Sequence, residues 1–153
     1  IAFIKEVVRE KKIHTLWFEA HYMYRKKLAS FAEQFAPAKV KFRCGVETFD
    51  TALRDAWKKG IPSSVSVQDI AQHFQGICLL CCTQGETKEH ILKDIELAKA
   101  HFEYFSVNVF CDNHTPIKQD KELAYWFAKE IYPMIKDDPR IEVLMENTDL
   151  GVG

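Results

Sequence analysis

Five apolar runs punctuate the chain. Ile13 to Ala20 is short and rich in aromatic residues, and Val40 to Val46 alternates apolar with polar positions. Ile77 to Cys82 is apolar without a break, Phe105 to Cys111 alternates again, and Ile141 to Met145 is the fifth. Alternation sends successive side chains to opposite faces of a strand, and an unbroken run suits a strand covered on both faces. The runs begin at 13, 40, 77, 105 and 141. One strand plus its crossover helix takes about 30 residues, so this spacing fits that unit. No two-residue hairpin signal lies between them.

The intervals carry helical periodicity. Residues 2–12 place Ile4, Val7 and Val8 among charges, and residues 23–36 carry Leu28, Phe31 and Phe35 before a stop at Pro37. Thr51 to Lys59 carries Leu53 and Trp57, with Gly60 at the C-terminal cap position. Ser66 and Asp69 have capping-box spacing ahead of Ile70 and Phe74. Thr87 to Phe102 aligns Ile91, Ile95, Ala98 and Phe102 on one stripe. Asp120 to Tyr132 stacks Leu123, Phe127 and Ile131, and Pro133 is expected to end it. Helices that alternate with strands in this way predict an α/β fold with a parallel sheet and right-handed crossovers. Five strands cannot close an eight-stranded barrel. An open doubly wound sheet and a partial TIM-like (β/α) barrel segment both fit.

Composition narrows the setting. At 153 residues, 47% hydrophobic and 28% charged, the chain reads as a single globular domain over 1–153. Lys plus Arg is 21 and Asp plus Glu is 22, for a net charge of -1, which gives no field for nucleic acid or an anionic membrane. No apolar run approaches the roughly 20 residues of a membrane span. The first residues are Ile-Ala-Phe-Ile, with no Met and no secretory signal, so a piece of a longer protein is expected. The five Cys are odd in number, and Cys78, Cys81 and Cys82 share one apolar run. That usage fits reduced cysteines packed as small hydrophobes in a cytoplasmic protein, not a disulfide framework.

Parallel α/β proteins bind ligands at the carboxyl ends of their strands. Those ends are polar here. Glu19, His21, Tyr22 and Arg25 follow the first run, and Glu47, Thr48 and Asp50 the second. Thr83 to Thr87 follow the third, Asp112 to Thr115 the fourth, and Glu146, Asn147 and Asp149 the fifth. Helix N-capping also favours Thr, Asp and Asn at such places. Cys78 and Cys81 are three apart on one strand, so they point to opposite faces and make a poor metal clip. The six His show no H-E-x-x-H spacing, and His90 and His101 read as solvated helix positions. The chain has no G-x-S-x-G, no P-loop and no G-x-G-x-x-G. Lys58 and Lys59 suit either a carboxylate partner or the C-terminal helix dipole.

Two segments in register resemble a known family. Phe42-Arg-Cys-Gly-Val-Glu-Thr through Leu53 to Lys59-Gly60 resembles the "G-(V/I)-E-(S/T)…L…K-G" strand and helix of radical S-adenosylmethionine (SAM) enzymes. Leu79-Leu-Cys-Cys-Thr-Gln-Gly-Glu-Thr-Lys-Glu89 resembles their next strand, and Val107-Asn-Val-Phe with Asn113-His-Thr-Pro116 continues the pattern. The resemblance covers roughly residues 13–117. It implies a fragment of a (β/α)6 barrel with SAM across the strand ends. It also implies a 4Fe-4S cluster and 5′-deoxyadenosyl radical chemistry in the full-length protein.

Carried over residue by residue, the resemblance places Glu47 at the SAM ribose or amino acid end and the backbone from Leu80 through Cys82 to Thr83 beside adenine. Gly85 and Glu86 would shape the turn into the next helix, and Asn108 and Asn113 are further cofactor-binding candidates. Glu19, His21, Glu146 and Asn147 are substrate-facing candidates at the rim. The family's C-x-x-x-C-x-x-C loop and its Gly-Gly-Glu segment do not occur. This chain alone is therefore expected to lack the radical activity and to bind no cofactor tightly. Cys78, Cys82 and Gln84 stand where the family has Gly, Gly and Pro. Two other classes fit the residues: a small α/β module for a nucleotide or sugar, and a fragment of a metal-dependent barrel aldolase or isomerase using Glu19, His21 and Glu47. The expected partners are SAM and an unidentified substrate, with self-association through exposed edges.

Overall fold

Each apolar run becomes a strand: β1 (Thr15–Glu19), β2 (Lys39–Glu47), β3 (Gly76–Cys81), β4 (Tyr104–Val109) and β5 (Ile141–Leu144). The structure is a computed structural model and describes residues 1–146. Asn147 and Asp149 lie outside the described residues. The strands pair in the order β1-β2-β3-β4-β5, all parallel. A doubly wound sheet reverses its strand order at a switch point. This order has no reversal, so the sheet is an arc of a barrel, curled into a half-barrel with helices between the strands. Of the two architectures left open by the periodicity, the partial barrel is the one formed.

The curl is visible in one contact. Arg43 on β2 reaches within 3.8 Å of Glu142 on β5. On a flat sheet those strands would stand roughly 14 Å apart, with side chains perpendicular to the plane. Only a concave surface brings their ends together.

The helices are α1 (Ala2–Glu10), α2 (Leu28–Glu33), α3 (Thr51–Ala56), α4 (Val67–Ala71), α5 (Lys88–His101), α6 (Lys121–Trp126) and α7 (Tyr132–Ile135). Ser66 and Asp69 form the reciprocal capping box at the start of α4. The helices cover the convex face, where Ile77, Leu79, Phe105 and Val107 meet Ile70, Ile91 and Phe127, all nearly inaccessible. Burying one such side chain is worth about 1.5–3 kcal/mol. Phe18, Phe31, Phe35 and Phe42 form a ring cluster that fastens α2 to β1 and β2.

Three helix boundaries depart from expectation. The segment after β1 is a 3-10 turn, Tyr22–Lys27, before α2 begins. The His21 ring accepts the Met23 N–H, and the Tyr24 N–H bonds to the His21 carbonyl, which winds that turn tightly. Helix α3 stops at Ala56, and Lys58 takes the left-handed position directly behind it at φ 54, with Gly60, expected to cap the helix, left-handed two residues further on at φ 66. Pro133 does not end the last helix. The chain passes through a π-helical stretch, Phe127–Ile131, and continues as α7 to Ile135. Proline has no N–H to give the carbonyl four residues back, and the wider π turn accommodates that loss.

Candidate functional site

Because the apolar alternate positions face the helices, the other set lines the concave wall. Pairing aligns Glu19, Arg43, Gly76 and Tyr104 in one row. Gly45, Cys78, Ser106 and Glu142 form the next. Leu80, Asn108 and Leu144 form a third, nearer the carboxyl rim. Glu47 is displaced by a register shift after Gly45 and holds a left-handed backbone at φ 69. A residue with a Cβ seldom adopts that conformation, and such outliers gather at ligand sites.

Three charged ends converge over Gly45. A Cβ built there would stand 3.5 Å from Glu47 Oε1, 3.6 Å from Glu19 Oε1 and 3.9 Å from Lys59 Nζ. Lys59 donates to Glu47 at 2.7 Å, so of the two roles open to it, the carboxylate partner is realised. His21 holds that lysine's backbone, with Nε2 2.6 Å from the Lys59 carbonyl. Its Nδ1 accepts the Met23 N–H, which assigns the ring proton to Nε2. His21 also lies 3.7 Å from a Cβ position at Gly60. It clasps the loop after α3, and both ring nitrogens are engaged.

Behind the rim lies a buried acidic layer. Glu86 is 7% exposed and accepts from both the N–H (2.7 Å) and the hydroxyl (3.0 Å) of Thr83. Burial pushes its carboxyl up to about 7, against the lowering effect of those bonds. Asp94 is also raised by burial and accepts the Phe49 N–H at 2.9 Å. His90 is not a solvated helix position: it is half-buried and lies 3.5 Å from Asp50, the residue that caps α3.

The cofactor candidates divide by surroundings. Leu80 and Asn108 face the concave wall, and Asn108 Oδ1 is buried without a hydrogen-bond partner. Cys82 is fully buried at φ 67 with its sulfur 3.6 Å from that of Cys81, and its carbonyl accepts the Asp120 N–H. Thr83 is buried against Glu86. Asn113 is exposed and accepts the N–H and hydroxyl of Thr115 in a local turn. Glu146 is exposed just past β5.

The structure does not bring three thiolates together. Cys78 points to the concave side, 3.9 Å from Glu19, while Cys81 lies beside Cys82. Burial raises the thiols of Cys78 and Cys81 and pushes that of Cys44 up to about 12, so they stay protonated. Among the described residues no group of three or more His, Cys, Asp or Glu is placed to hold a metal ion. No described helix is long and apolar enough to cross a membrane.

The rim pattern did not single out Trp17, Arg43, Tyr104 or Glu142. The signal for Arg43 was the alternation of Lys41, Arg43, Gly45 and Glu47 along one strand, which puts all four on one face.

No protein-family model matches the chain, and no curated protein matches it in sequence. Among solved structures it is similar to a queuine lyase from Clostridium spiroforme, bound to SAM and queuine. The two are 36% identical and superpose with a TM-score of 0.91, over 99% of this chain. The chain spans 65% of that enzyme's chain. In fold and in sequence, the protein is a partial barrel of the radical SAM type.

Proposed function

We propose that this chain is a segment of a (β/α)6 radical SAM core and supplies one wall of the SAM site in an enzyme acting on queuine or a related base. The observation that carries this reading is the superposition on a lyase holding SAM and queuine. The local geometry supports it. Glu47, set on its left-handed bulge and held by Lys59, offers a carboxylate to the ribose hydroxyls. Leu80 and the turn to Thr83 supply an apolar edge and backbone for adenine, and the unpartnered oxygen of Asn108 awaits a donor on the same wall. Asn113 and Glu146 stand at the rim.

In a radical SAM enzyme a 4Fe-4S cluster supplies the electron that cleaves SAM to a 5′-deoxyadenosyl radical. The residues described here do not fit that cluster, so its ligands belong to other residues of the enzyme. What this chain contributes is binding and orientation.

The test is equilibrium dialysis of the purified chain with SAM. Saturable binding is expected, and Glu47→Gln should weaken it about tenfold, the loss of roughly one charge-assisted hydrogen bond. Unchanged affinity in Glu47→Gln, or no binding at all, would defeat the reading.

A further inference from the structure

We infer that Trp17, together with Glu19, Arg43 and Tyr104 of the adjacent row, seats the ring of the substrate, a planar guanine-type base. The inference rests on the functional reading above and locates its second ligand. A cavity of about 440 Å³ is lined by these four side chains.

Gly76 lies beneath the Trp17 ring. A Cβ there would stand 2.8 Å from the Tyr104 carbonyl oxygen and 3.1 Å from the Trp17 ring. With no side chain on β3, Trp17 reaches across from β1 to Tyr104 on β4, their ring centroids 5.6 Å apart. Trp17 is still 40% exposed, on the inner side of the curl. Lys41, paired with Glu103, supports the Trp17 ring from 5.5 Å. An exposed aromatic ring fixed by its neighbours is a stacking platform for a heterocycle.

The polar edge selects the heterocycle. Arg43 offers donors and Glu19 offers acceptors, the two forming an ion pair at 3.4 Å. Tyr104 donates to Glu142, which also lies by Arg43, so the guanidinium is held between two carboxylates. A guanine-type edge presents a carbonyl followed by two N–H groups. The carbonyl suits Arg43, and the two N–H groups suit the two oxygens of Glu19. An adenine-type edge offers one donor where Glu19 can take two. Queuine, a deazaguanine, carries the matching edge. The platform lies about 13 Å along the strands from the Leu80 and Asn108 row. The ring therefore sits below the adenine edge at Leu80 and Asn108, with Glu19 facing Glu47 over Gly45, and a substituent extends toward the rim.

The test is a fluorescence titration of the purified chain with queuine, 7-deazaguanine and 7-deazaadenine, with SAM affinity and melting temperature measured on the same samples. Queuine and 7-deazaguanine should bind at least tenfold tighter than 7-deazaadenine. Glu19→Gln should weaken both guanine-type bases about tenfold and narrow the gap to 7-deazaadenine. Trp17→Leu should weaken all three. Trp17→Leu, which lies outside the Glu47 and Lys59 cluster, should keep wild-type SAM affinity, and both variants should keep a cooperative melting transition. Equal binding of the two deaza bases, wild-type affinity in both variants, or no saturable base binding overturns the proposal. SAM binding without base binding defeats this inference alone, whereas loss of both defeats the functional reading too.

Discussion

Glu86 is a carboxyl group placed where ionisation is costly. Its folded value of about 7 lies above the ordinary 4.5 because burial outweighs two hydrogen bonds from Thr83. Between those values the folded protein holds a proton that the unfolded chain releases. The stabilising contribution is complete below about pH 4.5 and is lost as pH rises through 7, up to about 3 kcal/mol in all. Asp94 is shifted in the same direction by the same cause. The melting temperature is therefore expected to fall between pH 5 and pH 8, and Glu86→Gln should flatten that fall. A wild-type slope in Glu86→Gln would refute the assignment. The sequence shows Glu86 only as one polar residue of a rim segment, and nothing in it separates a carboxylate facing ligand from one turned into the core. Glu47 was legible because its neighbours match a family pattern. Its left-handed backbone was not, since that conformation is set by the register shift against β3.

At the level of elements, the starts were easier to read than the ends. Asp50, Ser66, Thr87 and Asp120 each accept a backbone N–H at the first turn of the helix they precede, as short polar side chains at those positions should. Ser66→Ala is expected to cost about 1 kcal/mol, since it removes the reciprocal pair at α4. In a chain of this size that lowers the melting temperature by about 2–4 °C. Differential scanning calorimetry checks this, and an unchanged transition would show that α4 stands without its cap. The end of α3 was misplaced because a local C-terminal bond closes the helix early. The Lys59 N–H bonds back to the Arg54 carbonyl, so Lys58 is the left-handed residue that follows the helix, and Gly60, also left-handed, turns the chain beneath His21.

For the whole molecule, alternation of strand and helix gave the parallel sheet from the residues alone. Periodicity says which face a side chain takes, but it is silent on curvature. The curl appears only once Arg43 meets both Glu19 and Glu142 across the concave face. Among the described residues the outer edge of β1 pairs with no strand, and Trp17 lies on that strand partly exposed. Unpaired strand edges template further pairing. The purified chain is expected to self-associate with rising concentration in sedimentation velocity, and a single monomeric boundary at high concentration would contradict this.

The strand order has a kinetic consequence. Every ladder joins a strand to the next one along the chain, so no pairing waits for a distant segment to arrive. Each closes a loop of about 30 residues, the span of one strand and its crossover. Since closure cost rises slowly with loop length, each added unit meets a similar barrier. Such a sheet can grow by accretion from any adjacent pair. The Arg43–Glu142 pair then forms late, because it needs every strand from β2 to β5 in place.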